Sequence, residues 1–276
     1  MSASQFSSVP PLAKDLALQA RKEILKMTSN AGASHVASAL SVVDILAVLY
    51  SGVANISPKS VESADRDVVI LSKGHAASAL YSVLALKEFF PKEWLNGYCG
   101  NGAQLGGHVT STGVPGVELS TGSLGHGLPY GIGICMSRKK FGGAGRTFVI
   151  MSDGECDEGT TWESALLANH HELSNLCVVI DRNRIQSLTF TEDTLRLEPF
   201  AEKWKAFGFE TRVIDGHDFA ELSKAMEPSN KPLCIIAETT KGKGVNFMEN
   251  TVLWHYRPPN ADELSKALAA LEDLGK

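Results

Sequence analysis

At 276 residues, 43% of them hydrophobic and 21% charged, the chain is long enough for one large domain or two small ones, with the make-up of a water-soluble globular protein. A formal net charge of −5 with no basic stripe gives no reason to expect nucleic acid or a membrane as partner, and no apolar run reads as a bilayer span. The five cysteines (Cys99, Cys135, Cys156, Cys177 and Cys234) are odd in number and include no Cys-x-x-Cys, so neither a disulfide framework nor a zinc site is expected; a reducing, cytoplasmic setting fits.

Met1 to Lys14 is rich in Ser and Pro and lacks the apolar core of a signal peptide; residues 1–11 are expected as a flexible tail and 12–276 as one domain. Leu12 to Met27 has helical spacing, and Ser41 to Tyr50 is a second helix with a broad apolar face. Asp67 to Leu71 reads as a short buried strand, with a helix following to about Phe89. Gly97 to Gly116 is Gly-rich and aperiodic, a long loop of the kind that is usually functional. From Thr121 the chain runs into Gly127 and Gly131, four apart, which on a helix give a smooth face for close approach. Strands are expected at Thr147–Met151, Leu176–Ile180, Glu210–Ile214 and Leu233–Ala237. Helices are expected at about 160–173, 200–207, 218–226 and 261–274, with Asp218 and Glu221 spaced as a capping box. This alternation argues an α/β fold, a mainly parallel sheet with helices on both faces.

In a strand–helix–strand unit the two strands lie parallel, so their carboxyl ends share one edge, where open α/β sheets bind ligands. Asp153 and Asn183 each follow such a strand end. A carboxylate and an amide oxygen suit a hard cation such as Mg²⁺ or Ca²⁺. A strand ending in Asp-Gly is also a common turn. By the same rule Lys73, His75, Lys241 and Lys243 converge on that rim, and lysines, exposed amides and a hard cation together suit a diphosphate.

Several ordered segments resemble the transketolase family over nearly the whole chain: Leu71-Ser72-Lys73-Gly74-His75, Gly107-His108, Thr121-Gly122-Ser123-Leu124-Gly125-His126-Gly127, Asp153-Gly154-Glu155 through Glu158-Gly159, Trp162-Glu163 and Asn183, Trp204 to Phe209, Asp215-Gly216-His217, Lys241-Gly242-Lys243-Gly244 and Trp254-His255. The resemblance implies a thiamine diphosphate-binding (PP-type) fold and covers only the diphosphate-binding half of a whole transketolase. It therefore implies one subunit of a split enzyme, active only with a C-terminal, pyrimidine-binding subunit, in an α₂β₂ heterotetramer. The reaction it implies is transfer of a two-carbon ketol unit from a ketose (or its phosphate) to an aldose, with thiamine diphosphate and Mg²⁺; Ca²⁺ or Mn²⁺ could substitute for Mg²⁺.

Carried over residue by residue, the resemblance gives Asp153, Asn183 and the carbonyl of Ile185 to the metal, and the backbone amides of Gly154 and Glu155 to the diphosphate. Lys73, His75 and Lys241 sit by the cofactor, and Gly122 and Leu124 line its thiazolium. Glu158 and Glu163 match acidic positions that link paired active sites. His35, His108 and His255 match histidines that reach the substrate, work that imidazole suits because it both gives and takes a proton near neutrality. His217 reads as a turn residue, Cys156 as a small buried one, Trp254 as packing behind His255, and His126 stays open. Tyr256 and Arg257 stand where the family usually has a Gly close by, which leaves the sugar undefined; Arg257 meets either an anionic group or a surface ion pair. Two other readings stand beside this one: another thiamine diphosphate enzyme, such as a 2-oxo acid dehydrogenase α chain, and a cofactor-binding partner without catalysis.

Overall fold

The computed structural model describes residues 9–274. Five strands form one sheet, β1 (Val68–Leu71), β2 (Thr147–Ser152), β3 (Leu176–Arg182), β4 (Glu210–Asp215) and β5 (Leu233–Glu238), in the order β1-β2-β3-β5-β4. Every pairing is parallel. The register sets Ser152 beside Asp181 and Arg182 beside Glu238, so the strands reach the carboxyl edge together. Because helices cover both faces, the inner strands are buried throughout, which is why they read as continuous apolar runs.

One face of the sheet carries Val69, Phe148, Ile150, Val179 and Ile235, packed against α1 (Val9–Ala31), α2 (Val36–Val48) and α3 (Ala77–Leu86). The other face carries Ile70, Val149, Val178 and Ile236, packed against α4 (Gly127–Phe141), α5 (Gly159–His170) and α6 (Phe200–Ala206), with Trp204 fully buried. Helices α7 (Phe219–Ala225) and α8 (Ala261–Leu274) complete the chain. The α/β architecture with a mainly parallel sheet and helices on both faces is as the sequence implies.

Several boundaries differ from those read in sequence. Helix α1 begins at Val9, which is buried, so positions 9–11 of the expected tail are helical; residues 1–8 lie outside the described residues. Helix α2 starts at Val36 rather than Ser41, and all thirteen of its residues are buried, so no periodicity marks its first turns. Together with the π-helical turn Leu49–Val53 it makes a stretch, Val36–Val53, long and apolar enough for a bilayer span by length and composition, which the sequence reading passed over; here it lies almost wholly inside the core. The side chain of Asp218 caps α7 as expected, but Glu221 accepts from the amide of Asp215 instead of returning to Asp218, so the box is half formed.

The glycine face of α4 is a close helix–sheet contact. A Cβ on Gly131 would stand 2.6 Å from Val149 Cγ2, and one on Gly127 would stand 2.9 Å from the Cα of Ser72. Helix α4 thus lies directly on β2 and β1, which draws the preceding segment 121–126 across the rim. Gly131→Val should overpack this contact at a cost of about 1–3 kcal/mol, read by calorimetry as a Tm lowered by several degrees. An unchanged Tm would show that the helix can move off the sheet freely.

Candidate functional site

The loops after the parallel strands enclose a cavity of about 220 Å³. His75 follows β1, Asp153 and Gly154 follow β2, and Asn183 to Ser187 follow β3. Lys241 comes from the loop after β5, and His35, His108, Gly122, Leu124 and His255 come from connecting segments. Eleven of the residues singled out in sequence thus line one space: His35, His75, His108, Gly122, Leu124, Asp153, Gly154, Asn183, Ile185, Lys241 and His255.

Asp153 is buried beneath the mouth. Its Oδ1 accepts from the amide of Gly154 at 2.8 Å, and its Oδ2 accepts from the amide of Arg184 at 2.7 Å and from Arg182 and Thr191 at 3.3 Å each. Burial nonetheless outweighs the Arg182 guanidinium and raises its carboxyl above the ordinary range. Asn183 Oδ1 accepts from the amide of Ile185 at 3.2 Å, and the carbonyl of Ile185 accepts from Lys241 Nζ at 2.8 Å. Arg184 holds a left-handed backbone (φ 64°), which turns the chain so that these oxygens follow one another along the rim.

Four imidazoles gather on the other side. The ring of His35 lies 5.3 Å from His75, 5.7 Å from His108 and 4.9 Å from His255, centroid to centroid. His35 caps α2 in a left-handed conformation (φ 73°), and its amide donates to the carbonyl of His255 at 2.8 Å, which fastens the C-terminal segment to the start of α2. Nδ1 of His255 lies 2.8 Å from Lys241 Nζ. Burial, then the charges nearby, lowers His35 to about 4 and His255 to about 3 and takes His75 well below its ordinary value; Lys241 falls to about 7 by burial and repulsion from Lys73. His35, His75 and His255 are thus neutral near pH 7, able to accept a proton or to share one.

One expected neighbour of the cofactor lies behind the cavity. Lys73 does not line the cavity: it is fully buried behind it, paired with Asp181. Burial would raise the Asp181 carboxyl, but Lys73, Ser41 and Thr239 hold it below its ordinary value. The side chain of Glu155 turns inward to Ser72 Oγ, to the amide of Gly125 at 2.9 Å and to that of Ser152 at 3.2 Å, stapling three rim loops together. Glu158 is exposed at the start of α5, outside the cavity, as is Glu163. His126 is exposed with Nδ1 against Ser123 and Leu124, and Arg257 is tied to Glu263 and stacked 4.8 Å over Trp254, which decides for the ion pair. Cys156 is buried, its thiol pushed up by burial, and Trp254 packs with its Nε1 donating to Phe247.

Ser38, Ser152, Gln186 and Ser187 also line the cavity and were not singled out in sequence. Ser152 directly precedes Asp153, and Gln186 and Ser187 lie within four positions of Asn183, the one signal that could have found them.

The donor set fits a magnesium diphosphate group. One carboxylate, one carboxamide and one carbonyl supply hard oxygens, and Lys241 supplies the opposing positive charge. Among the described residues no three His, Cys, Asp or Glu side chains form a metal cluster, so a cation at Asp153 and Asn183 would complete its shell with ligand and water oxygens. Gly122 and Gly154 stand close against cavity neighbours: a Cβ on Gly122 would lie 3.2 Å from the His108 ring, and one on Gly154 would lie 2.9 Å from Gln186. His35 Nδ1 and Ser38 Oγ are buried without a partner, polar atoms left for a ligand.

Residues 14–272 match the family described as transketolase, thiamine diphosphate binding domain. The chain is 40% identical over 257 residues to an apulose-4-phosphate transketolase subunit of Actinobacillus succinogenes, covering 92% of this chain and 93% of that one. It is 35% identical over 259 residues to the 6-deoxy-6-sulfo-D-fructose transketolase subunit SqwG of a Clostridium species, covering 92% and 94%. Among solved structures, transketolase from Campylobacter jejuni superposes with a TM-score of 0.89 at 29% identity, covering 95% of this chain but only 43% of that one. The chain belongs to the transketolase family, as an enzyme subunit of the split kind that corresponds to the thiamine diphosphate-binding part.

Two outcomes follow from this geometry. Lys73→Met should cost about 3–5 kcal/mol of stability by leaving Asp181 charged and unpaired, seen in denaturant unfolding; a small loss with selectively weakened cofactor binding would return Lys73 to the cavity. Because His35 titrates lower folded than unfolded, the unfolded chain binds the extra proton between about pH 6.5 and pH 4. Its contribution to stability is whole above that window and lost as pH falls through it, so His35→Asn should lose less stability than the native chain between pH 7 and pH 4.5. Parallel pH curves would contradict the shift.

Proposed function

We propose that this chain is the diphosphate-binding subunit of a two-chain transketolase that moves a two-carbon ketol unit from a ketose or ketose phosphate to an aldose, with thiamine diphosphate and Mg²⁺. The observation that carries the reading is the meeting of Asp153, Asn183, Ile185 and Lys241 with His35, His75, His108 and His255 around one cavity. Bound thiamine diphosphate would supply a nucleophilic carbon and an electron sink for breaking a carbon–carbon bond beside a carbonyl.

Asp153, Asn183 and the Ile185 carbonyl hold the metal, with Lys241 and the amide of Gly154 neutralising the diphosphate. His75, Gly122 and Leu124 line the space for the ring system. His35, His108 and His255 face the substrate, His35 and His255 as neutral imidazoles. They take the proton from a sugar hydroxyl as the carbon–carbon bond breaks and return one when the new bond forms. A gathering of several imidazoles favours sugar hydroxyl chemistry over 2-oxo acid decarboxylation, where the substrate has no such protons to move.

A second chain is supported by the relatives: this chain covers 93% and 94% of two proteins named as transketolase subunits, and 43% of the Campylobacter jejuni transketolase. The partner we propose is a pyrimidine-binding chain, and the assembly an α₂β₂ tetramer, with the exposed Glu163, Leu166 and Leu167 face of α5 available for burial between chains. Five free cysteines, four of them buried, support a reducing, cytoplasmic setting.

Mixed with its partner, the chain should transfer two carbons between ketose and aldose substrates only when thiamine diphosphate and Mg²⁺ are present. Asp153→Ala should raise the cofactor concentration for half-activity by about 10–100-fold or more, whereas His108→Ala and His255→Ala should lower kcat by about 10²–10⁴-fold with the cofactor still bound. Turnover of 2-oxo acids in place of ketoses would sink the reading.

A further inference from the structure

The loop that carries Lys241 is gripped from behind by three side chains that the functional reading does not use. Asp44, in the middle of α2, is buried with Arg21 of α1 against it; Arg21 Nη1 and Nη2 donate to its two carboxylate oxygens at 2.7 Å each. The same Oδ2 lies 2.7 Å from Nδ1 of His217, the residue that sequence assigned to a turn before α7. Nε2 of His217 accepts from the amide of Thr240 at 2.8 Å. An imidazole nitrogen that accepts cannot carry a hydrogen, so in the neutral ring the proton sits on Nδ1 and is donated to Asp44. On the other side of Lys241, Nε of Arg21 donates to the carbonyl of Lys243 at 3.3 Å, and between them the amide of Gly242 donates to the carbonyl of Ala37 at 3.0 Å.

We infer that Arg21, Asp44 and His217 are positioning residues for Lys241, and through it for the cofactor's anionic end. The inference rests on the functional reading above for what Lys241 holds, but the grip itself does not. Asp44 fixes both the tautomer of His217 and the fork of Arg21, and these take hold of the backbone one residue before Lys241 and two residues after it. Lys241 in turn bridges the Ile185 carbonyl and His255. A buried ion pair is a weak source of net stability, because desolvation offsets its attraction. Its use here is geometric: it adds two side-chain holds to a loop that the Gly242–Ala37 backbone bond also fastens, in the way outer partners orient the groups that touch a bound ion.

Two amide variants of His217 separate this role from general support of the buried charge. Gln is long enough to set its oxygen where Nε2 stands and so keeps an acceptor for Thr240. Asn is shorter and sets its NH₂ where Nδ1 stands, keeping only the donor to Asp44. With the chain assembled on its partner, hydrogen exchange of the 239–244 amides should quicken in His217→Asn and stay near native in His217→Gln. The dissociation constant for thiamine diphosphate with Mg²⁺ should weaken about 10-fold in His217→Asn and stay near native in His217→Gln. Exchange that is unchanged in both variants, or Asn native-like where Gln is impaired, would overturn the inference. If the native complex bound no thiamine diphosphate, the functional reading would fail, and the exchange measurement alone would still decide the grip.

Discussion

Beneath the candidate site lies a buried ion pair on which its parts depend. The ammonium of Lys73, from the loop after β1, meets the carboxylate of Asp181 near the end of β3, and both side chains are wholly withdrawn from solvent. The same carboxylate accepts from Ser41 of α2 and from Thr239 at the end of β5, and Asn183 Nδ2 lies 3.3 Å away. One charged pair thus ties three strand ends and one helix into a floor. Glu155 repeats the device on the neighbouring side, joining the segments at Ser72, Gly125 and Ser152. Buried carboxylates of this kind are costly unless every lone pair is used, and here their partners come from loops far apart in sequence.

This floor sets the electrostatics above it. Lys73 and Lys241 press positive potential into the cavity, and with the loss of water this lowers His35, His75 and His255 until they are neutral. The cavity therefore combines an uncharged row of proton acceptors with a positive end beside hard oxygen donors. An anion that brings its own divalent cation suits the positive end and the hard oxygen donors together.

What could be read from the sequence follows the same division. Strand ends were legible because each apolar run stops at a polar or Gly-rich turn, and parallel pairing then places all of those turns on one rim. The close approach of α4 was legible from Gly127 and Gly131. Lys73 was misplaced because a lysine after a strand end reads alike whether it points to a ligand or to a carboxylate below; only the neighbouring strand, with Asp181, decides. The side-chain partners of Glu155 and His217 were not legible for the same reason: they lie 83 and 173 positions away. Helix α2 hid its first turns because it is buried on every side and so carries no period.

The central claim is that the carboxyl edge of this sheet holds a divalent cation and a diphosphate together, through Asp153 and Asn183. The most direct test replaces Mg²⁺ with Mn²⁺ in the assembled enzyme and records the electron–nuclear double resonance of the metal with thiamine diphosphate present. The account predicts phosphorus couplings of directly bound phosphate oxygens, lost together with the bound metal in Asp153→Ala. A bound Mn²⁺ without phosphorus coupling, or the same coupling kept in Asp153→Ala, would contradict it.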